Sequence, residues 1–191
     1  LNEIMEGLSL QLITYLLALS KTKSTKDLLP AAMMYIYLHG RPKSMSVPPN
    51  GIPHAKEKEN TNGIFLNDPD VLRTLDSQSG TDDGFIGVSY VKDGSVKKTS
   101  PVLTAEEFEA LKALTEKILI RLYSRLESGE IAIHPVKNGT LSPCSYCPYR
   151  SICRFDPALP ENSFDYISKV SDKTIREKLD EEMKRNGKEN L

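Results

Sequence analysis

The fold class turns on residues Ala31-Ala32-Met33-Met34-Tyr35-Ile36-Tyr37-Leu38, a near-continuous apolar run of strand length that follows Pro30 and stops at Gly40-Arg41-Pro42. A run without polar alternation fits a strand covered on both faces, as in a sheet flanked by helices. Just upstream, residues 7–20 carry Leu8, Leu10, Leu12, Ile13, Leu16, Leu17 and Leu19 almost all the way round a helical wheel. A helix that is apolar on nearly all sides is expected to be buried on nearly all sides. Its polar exceptions are Gln11 and Tyr15, four apart and therefore on one face. Helix followed by buried strand sets the expectation of an α/β fold.

Outward from that pair the chain is less apolar. Residues 43–62 are rich in Pro, Asn, Lys and Ser, and we expect a long exposed loop, partly disordered. Ile64–Leu66 reads as a short strand. Asp68-Pro69 reads as an N-cap followed by proline at the first helical position, opening a short helix through Val71, Leu72 and Leu75. Ser77–Gly84 is expected to be a flexible loop. Segments 85–92 and 95–99 flank Asp93-Gly94, a two-residue hairpin signal. Thr104 with Glu107 forms a capping box. After it, Phe108, Leu111, Leu114, Ile118, Leu122 and Leu126 keep helical spacing until Gly129. Residues 172–186 read as a charged amphipathic helix with a thin stripe of Ile175, Leu179 and Met183. The expected organisation is therefore a core helix and strand (1–42), a loop, short helix and hairpin (43–103), and a long helix returning to the core (104–140). A cysteine segment (141–160) and a charged helix with its tail (161–191) complete it.

Composition narrows the possibilities. The 191 residues are 39% hydrophobic and 27% charged, the balance of a soluble globular chain. Net charge is −1, so no global basic field announces nucleic acid, and any such contact would be local. No stretch approaches the roughly 20 apolar residues of a membrane span. The opening Leu1-Asn2-Glu3 has no basic leader and no initiator methionine, so we expect a piece of a longer, cytoplasmic protein.

All three cysteines fall within ten residues, Cys144-Ser145-Tyr146-Cys147-Pro148-Tyr149-Arg150-Ser151-Ile152-Cys153. An odd number without a secretion signal argues against a disulfide framework. Thiolates are soft ligands, suited to zinc or an iron–sulfur cluster. Zinc would recruit a further ligand, and His134, ten residues upstream, is a candidate. An iron–sulfur cluster commonly draws its fourth cysteine from far away in sequence. Three unengaged thiols are the plain alternative. For phosphodiester cleavage, metal-dependent nucleases need carboxylates and usually a lysine around a divalent ion. The one Glu-x-Lys string, Glu182-Met183-Lys184, lies in a charged helix and reads as a solvated face. Asp68, Asp70, Asp82 and Asp83 sit where caps and turns favour aspartate anyway. No phosphate loop of the Gly-x4-Gly-Lys-Ser/Thr type is present. No catalytic residue is expected within this chain.

Two segments together carry a family resemblance over essentially the whole chain. Gly7–Leu16 with the run Ala31–Leu38 resembles the Gln-x3-Tyr helix and following strand of RecB-type nucleases of the PD-(D/E)xK class. Gly129-Glu130-Ile131-Ala132-Ile133-His134-Pro135, followed by the cysteine string and Arg154-Phe155-Asp156, resembles the C-terminal end of the B-subunit family of the ATP-dependent AddAB helicase–nucleases. The resemblance implies a partial restriction-endonuclease-like core with an inserted hairpin, a long helix and a C-terminal cysteine staple. It implies one component of an ATP-dependent deoxyribonuclease that resects double-strand DNA ends for recombinational repair, partnered by the A subunit and by DNA. It implies Cys144, Cys147 and Cys153 as ligands of a [4Fe–4S] cluster whose fourth cysteine lies outside the chain. Magnesium would serve the parent's nuclease site, with Gln11 and Tyr15 in support. The cleavage carboxylates and lysine are expected before residue 1, so the piece alone is expected to be inactive and to associate with itself through its opening helix. A zinc-stabilised DNA- or protein-binding module, touching phosphates through Lys137, Arg150 and Arg154, is the alternative from another class. A single-subunit exonuclease with the same cysteine staple is a further one.

Overall fold

The computed structural model describes residues 1–25, 28–36, 61–81, 84–160, 162–168 and 170–189. It divides into two compact units, residues 11–112 and residues 1–10 with 113–191.

The first unit is built on a three-stranded sheet of order β1-β2-β3, with β1 at Ala32–Tyr35, β2 at Asn62–Leu66 and β3 at Val102–Leu103. β1 runs antiparallel to β2, with Met33 opposite Ile64, and β2 runs parallel to β3, with Phe65 opposite Val102. The central strand is the short one expected at Ile64–Leu66, and all three of those residues are buried. Phe65, Leu72, Ile86, Val88 and Val102 form one core cluster. Fully burying such side chains is worth about 1.5–3 kcal/mol each, an upper figure because unfolded chains already bury some of this area.

The helix expected at 7–20 begins later. A short α1 covers Asn2–Met5 and α2 covers Gln11–Ser20. Gly7 and Ser9 take φ of +79° and +51°, which breaks the helical run between them. Burial also corrects the expectation of full coverage. Ile13 is buried, while Tyr15 and Leu19 are more than half exposed. The strand meets its expectation over residues 32–34, where Met33 is buried on one face and Ala32 and Met34 pack on the core cluster on the other, and departs from it only at its end. β1 is an edge strand, and Tyr35 and Ile36 are exposed. Residues 37–60 lie outside the described residues, and with them all of the expected loop over 43–62 except Thr61 and Asn62, of which Asn62 opens β2.

The α3 helix, Pro69–Leu75, opens as expected, with the Asp68 carboxylate accepting from the amides of Asp70 and Val71. The hairpin at Asp93-Gly94 is present in reduced form. Tyr90 bridges Val96, and Val91 N–H donates to the Ser95 carbonyl at 2.8 Å. Gly94 N–H donates back to the Val91 carbonyl, so Lys92, Asp93 and Gly94 form a three-residue loop instead of the two-residue one.

The capping box at the head of α4 (Ala105–Glu127) is reciprocal. Thr104 N–H donates to Glu107 Oε2 at 2.8 Å, and Glu107 N–H donates to Thr104 Oγ1 at 3.2 Å. At the other end Gly129 N–H reaches the Leu126 carbonyl and Glu130 N–H reaches the Arg125 carbonyl, with Gly129 at φ +73°. This is the Schellman arrangement, which uses glycine because the left-handed conformation costs any other residue. Along α4 the expected stripe holds at Phe108, Leu111 and Ile118, which are buried, but Leu122 and Leu126 are exposed.

The second unit contains α1, the rest of α4 from Ala113 on, and the two-stranded parallel pair β4 (Val136–Lys137) and β5 (Asp165–Tyr166). A single 3₁₀ turn at Pro143–Ser145, α5 at Arg150–Cys153 and α6 at Asp172–Glu189 complete it. Asn2 ties α1 to the approach to α6: its amide nitrogen donates to the Ser168 carbonyl, and its oxygen accepts from Val170 N–H. The α6 stripe departs from expectation. Ile175, Leu179 and Glu182 are buried, and Met183 is only half-buried.

Candidate functional site

Gln11 and Tyr15 stand on the exposed side of α2. The Gln11 side-chain amide donates to Tyr15 Oη at 3.2 Å, one helical turn away. The spacing that made them neighbours in sequence therefore makes them partners in space. Both side chains are exposed.

The cysteine segment is shaped by local chemistry. Ser142 accepts from Cys144 N–H at 3.3 Å, and Pro143 opens the 3₁₀ turn, whose end is marked by Tyr146 N–H donating to the Pro143 carbonyl. Tyr149 starts α5, and Cys153 N–H donates to its carbonyl at 2.9 Å. Arg154 then takes φ +52° and ends the helix. Cys144 and Cys147 are half-buried and Cys153 is exposed, and none is in a disulfide. Three free thiols in ten residues are the soft donor set that zinc or an iron–sulfur cluster requires. Among the described residues, however, no three His, Cys, Asp or Glu side chains are gathered closely enough to hold a metal ion. The three sulfurs are thus neighbours in sequence without forming a closed site.

His134, the candidate zinc ligand, has Nδ1 at 3.0 Å from Ser163 Oγ. Between the cysteines and β5, Phe164 packs edge-on against Phe155 and Tyr166, with ring centroids 4.8 and 6.0 Å apart. The Lys137 ammonium lies 4.9 Å from the Phe164 centroid, a cation–π contact. Arg150 and Arg154 are exposed. Arg125 holds Glu130 through Nε–Oε2 at 2.8 Å. That bond depresses the Glu130 carboxyl below the ordinary carboxylate range and raises the Arg125 guanidinium.

The largest correction concerns Glu182. The Glu182-Met183-Lys184 string was expected to be a solvated face. Lys184 is exposed, but the Glu182 side chain is 2% exposed and pairs with the half-exposed Lys117 ammonium of α4. The pair spans 65 positions of sequence. The available signal was the spacing of Glu182 from Ile175 and Leu179, seven and three residues, which puts it on their face. Asp76 was also missed. It is buried after α3 and accepts from the amides of Gln78, Phe85 and Ile86, so the loop expected to be flexible is tied to a carboxylate. Asp68 serves as the expected cap, and Asp82 and Asp83 lie outside the described residues.

Comparison with known proteins gives these features a family. The PD-(D/E)XK nuclease superfamily matches residues 2–154, from α1 through the cysteine segment. The chain is 32% identical to the B subunit of the ATP-dependent helicase/deoxyribonuclease of Bacillus licheniformis over 98% of its length, which is 17% of that protein. It is 33% identical to the protein of the same name from Clostridium kluyveri over 92% of the chain and 16% of that protein. For the one from Bacillus subtilis the figures are 32%, 95% and 16%. The chain thus spans about one sixth of the length of the curated relatives it matches. The match runs through the Gln11–Tyr15 helix, the mixed sheet and the capped long helix as far as Arg154, and on that ground the chain belongs to the PD-(D/E)XK nuclease superfamily.

Proposed function

We propose that the chain works as the C-terminal part of an ATP-dependent helicase–deoxyribonuclease B subunit that resects double-strand DNA ends for recombinational repair in the cytoplasm. The observation that carries this is collinear similarity to proteins of that name over 92–98% of the chain, together with the superfamily match. In this reading Gln11 and Tyr15, already hydrogen-bonded on an exposed face, help place the strand to be cut. The cleavage carboxylates, lysine and magnesium belong to the rest of the parent protein, which works with an A subunit. Cys144, Cys147 and Cys153 would hold a [4Fe–4S] cluster with a fourth cysteine from elsewhere in the parent, closing the segment as a structural staple. Three free thiols within one ten-residue segment support a cysteine-only site.

The test uses the full-length parent with its A-subunit partner, linear duplex DNA, ATP and magnesium. The expected result is ATP-dependent degradation from the ends, with iron and acid-labile sulfide that Cys147→Ser removes. One equivalent of zinc and no iron would overturn the cluster assignment. Absence of end-dependent degradation would overturn the functional one. The isolated 191-residue chain is expected to leave DNA intact, and magnesium-dependent cutting by it would place the catalytic groups within these residues after all.

A further inference from the structure

The second unit contains a cleft of about 310 Å³ to which the superfamily match assigns no role. Lys117, Arg121, Lys178 and Arg185 line it together with Glu181 and Glu182. Met5, Leu114 and Ile118 give it an apolar floor. Lys117 and Arg121 are one turn apart on α4. Lys178 and Arg185 are seven residues apart on α6, two turns along the same face. Four cations against two carboxylates leave a local charge of +2 in a chain whose net charge is −1. Glu182 is itself spent on Lys117, a buried carboxylate that fixes where one ammonium sits at the rim. Arg121, Lys178 and Arg185 have no ion-pair partner among the described residues.

We propose that this cleft binds the sugar–phosphate backbone of single-stranded nucleic acid. Guanidinium groups suit phosphate because their planar fork can donate two parallel hydrogen bonds. A phosphate satisfies the surplus positive charge, while the apolar floor accepts the sugar or base edge beside it. The volume is at the low end for ligand sites and suits a group of nucleotide size, not a duplex face. An acidic peptide would meet the same charge, but it leaves unused the apolar side chains of Met5, Leu114 and Ile118 beside the two guanidinium groups. The proposal stands on the cleft's own chemistry and does not depend on where the parent cuts DNA.

The experiment is fluorescence anisotropy of the 191-residue chain with a labelled oligothymidine. Arg121→Ala and Arg185→Ala are compared with Lys184→Ala, which removes the same charge from α6 outside the cleft. Circular dichroism confirms that each variant folds. Each cleft variant should weaken binding about five- to tenfold and flatten the salt dependence by about one unit of slope, as loss of one phosphate contact does. Lys184→Ala should do neither. Arg121→Lys should recover part of the loss, because the charge stays and the fork goes. Equal losses in all three alanine variants would show diffuse attraction and overturn the site. So would tighter binding of a labelled oligo-glutamate peptide than of oligothymidine, which would identify an acidic protein partner.

Discussion

Removing Lys117 should be far more damaging than its exposure suggests. The Lys117 side chain is 54% exposed, and a surface lysine usually changes stability by no more than about 0.5 kcal/mol. Its partner, the Glu182 side chain, is 2% exposed. In Lys117→Ala that carboxylate stays buried without its ion-pair partner, with Arg121, Lys178 and Arg185 elsewhere in the cleft lining. Breaking a fully buried pair in this way costs about 3–5 kcal/mol. Because water can reach the lysine side of the pair and partly replace the ammonium, we expect about 2–3 kcal/mol. Glu182→Gln removes the charge but keeps the shape, and it releases Lys117 to solvent, so it should cost only about 1 kcal/mol. The asymmetry is the signature: the exposed partner should matter more than the buried one. Urea denaturation at neutral pH, with hydrogen exchange of the α6 amides as a local probe, measures both. If Lys117→Ala fell within about 0.5 kcal/mol of the parent chain, or if Glu182→Gln were the worse variant, the reasoning would be refuted.

Three other perturbations follow from the same geometry. Asp76→Ala strands the amides of Gln78, Phe85 and Ile86, of which only the Ile86 bond is fully buried. It should cost about 3 kcal/mol and speed hydrogen exchange at Phe85 and Ile86 more than in α4. Gly129→Ala forces a side chain into φ +73° with open space around it, so the penalty is backbone strain alone, about 1–2 kcal/mol, seen as fraying of the last turn of α4. Glu130 has its carboxyl held below the ordinary range by Arg125. A depressed carboxylate contributes stability that is present above about pH 4.3 and is lost as pH falls through its lower folded value. Thermal melts from about pH 6 to 3 should therefore fall less steeply in Glu130→Gln than in the parent chain.

What the sequence made legible was what depends on a few adjacent residues. The Asp68 cap, the Thr104–Glu107 box and the Gly129 stop are set by hydrogen bonds spanning a handful of positions, and each formed where its residues stand. So did the Gln11–Tyr15 pair, because a one-turn spacing guarantees proximity on a helix. Burial was less legible. The apolar wheel of α2 and the apolar run of β1 told how much surface is available to bury, but not which partner covers it. Here α2 is fully buried only at Ile13, while β1 is buried at Met33 on one face and half-buried at Ala32 and Met34, which pack on the core cluster, on the other. Glu182 failed for the opposite reason. Glutamate in a charged helix is normally solvated, and only a lysine 65 residues away makes its burial tolerable.

That failure bears on how the candidate sites divide the work. The polar groups with function in the cleavage reading, Gln11, Tyr15 and the cysteines, are exposed or half-buried and make few bonds outside their own segments. Of the buried carboxylates among the described residues, Asp76 and Glu182 are bound to distant partners and hold a loop or a helix in place, and Glu107 caps the head of α4. A buried carboxylate with its hydrogen bonds satisfied has little left to offer a metal ion or a substrate, whereas an exposed amide or thiol has its full capacity free. Burial of an acidic residue in this chain is therefore a sign of scaffold, and exposure of a polar cluster a sign of contact. Lys117 joins the two, since a buried anion fixes a half-exposed cation at the rim of a basic cleft. Glu182→Gln should accordingly loosen oligothymidine binding through Lys117 while Asp76→Ala leaves it unchanged. Equal effects from the two would mean that binding follows overall stability and not the placement of that one ammonium.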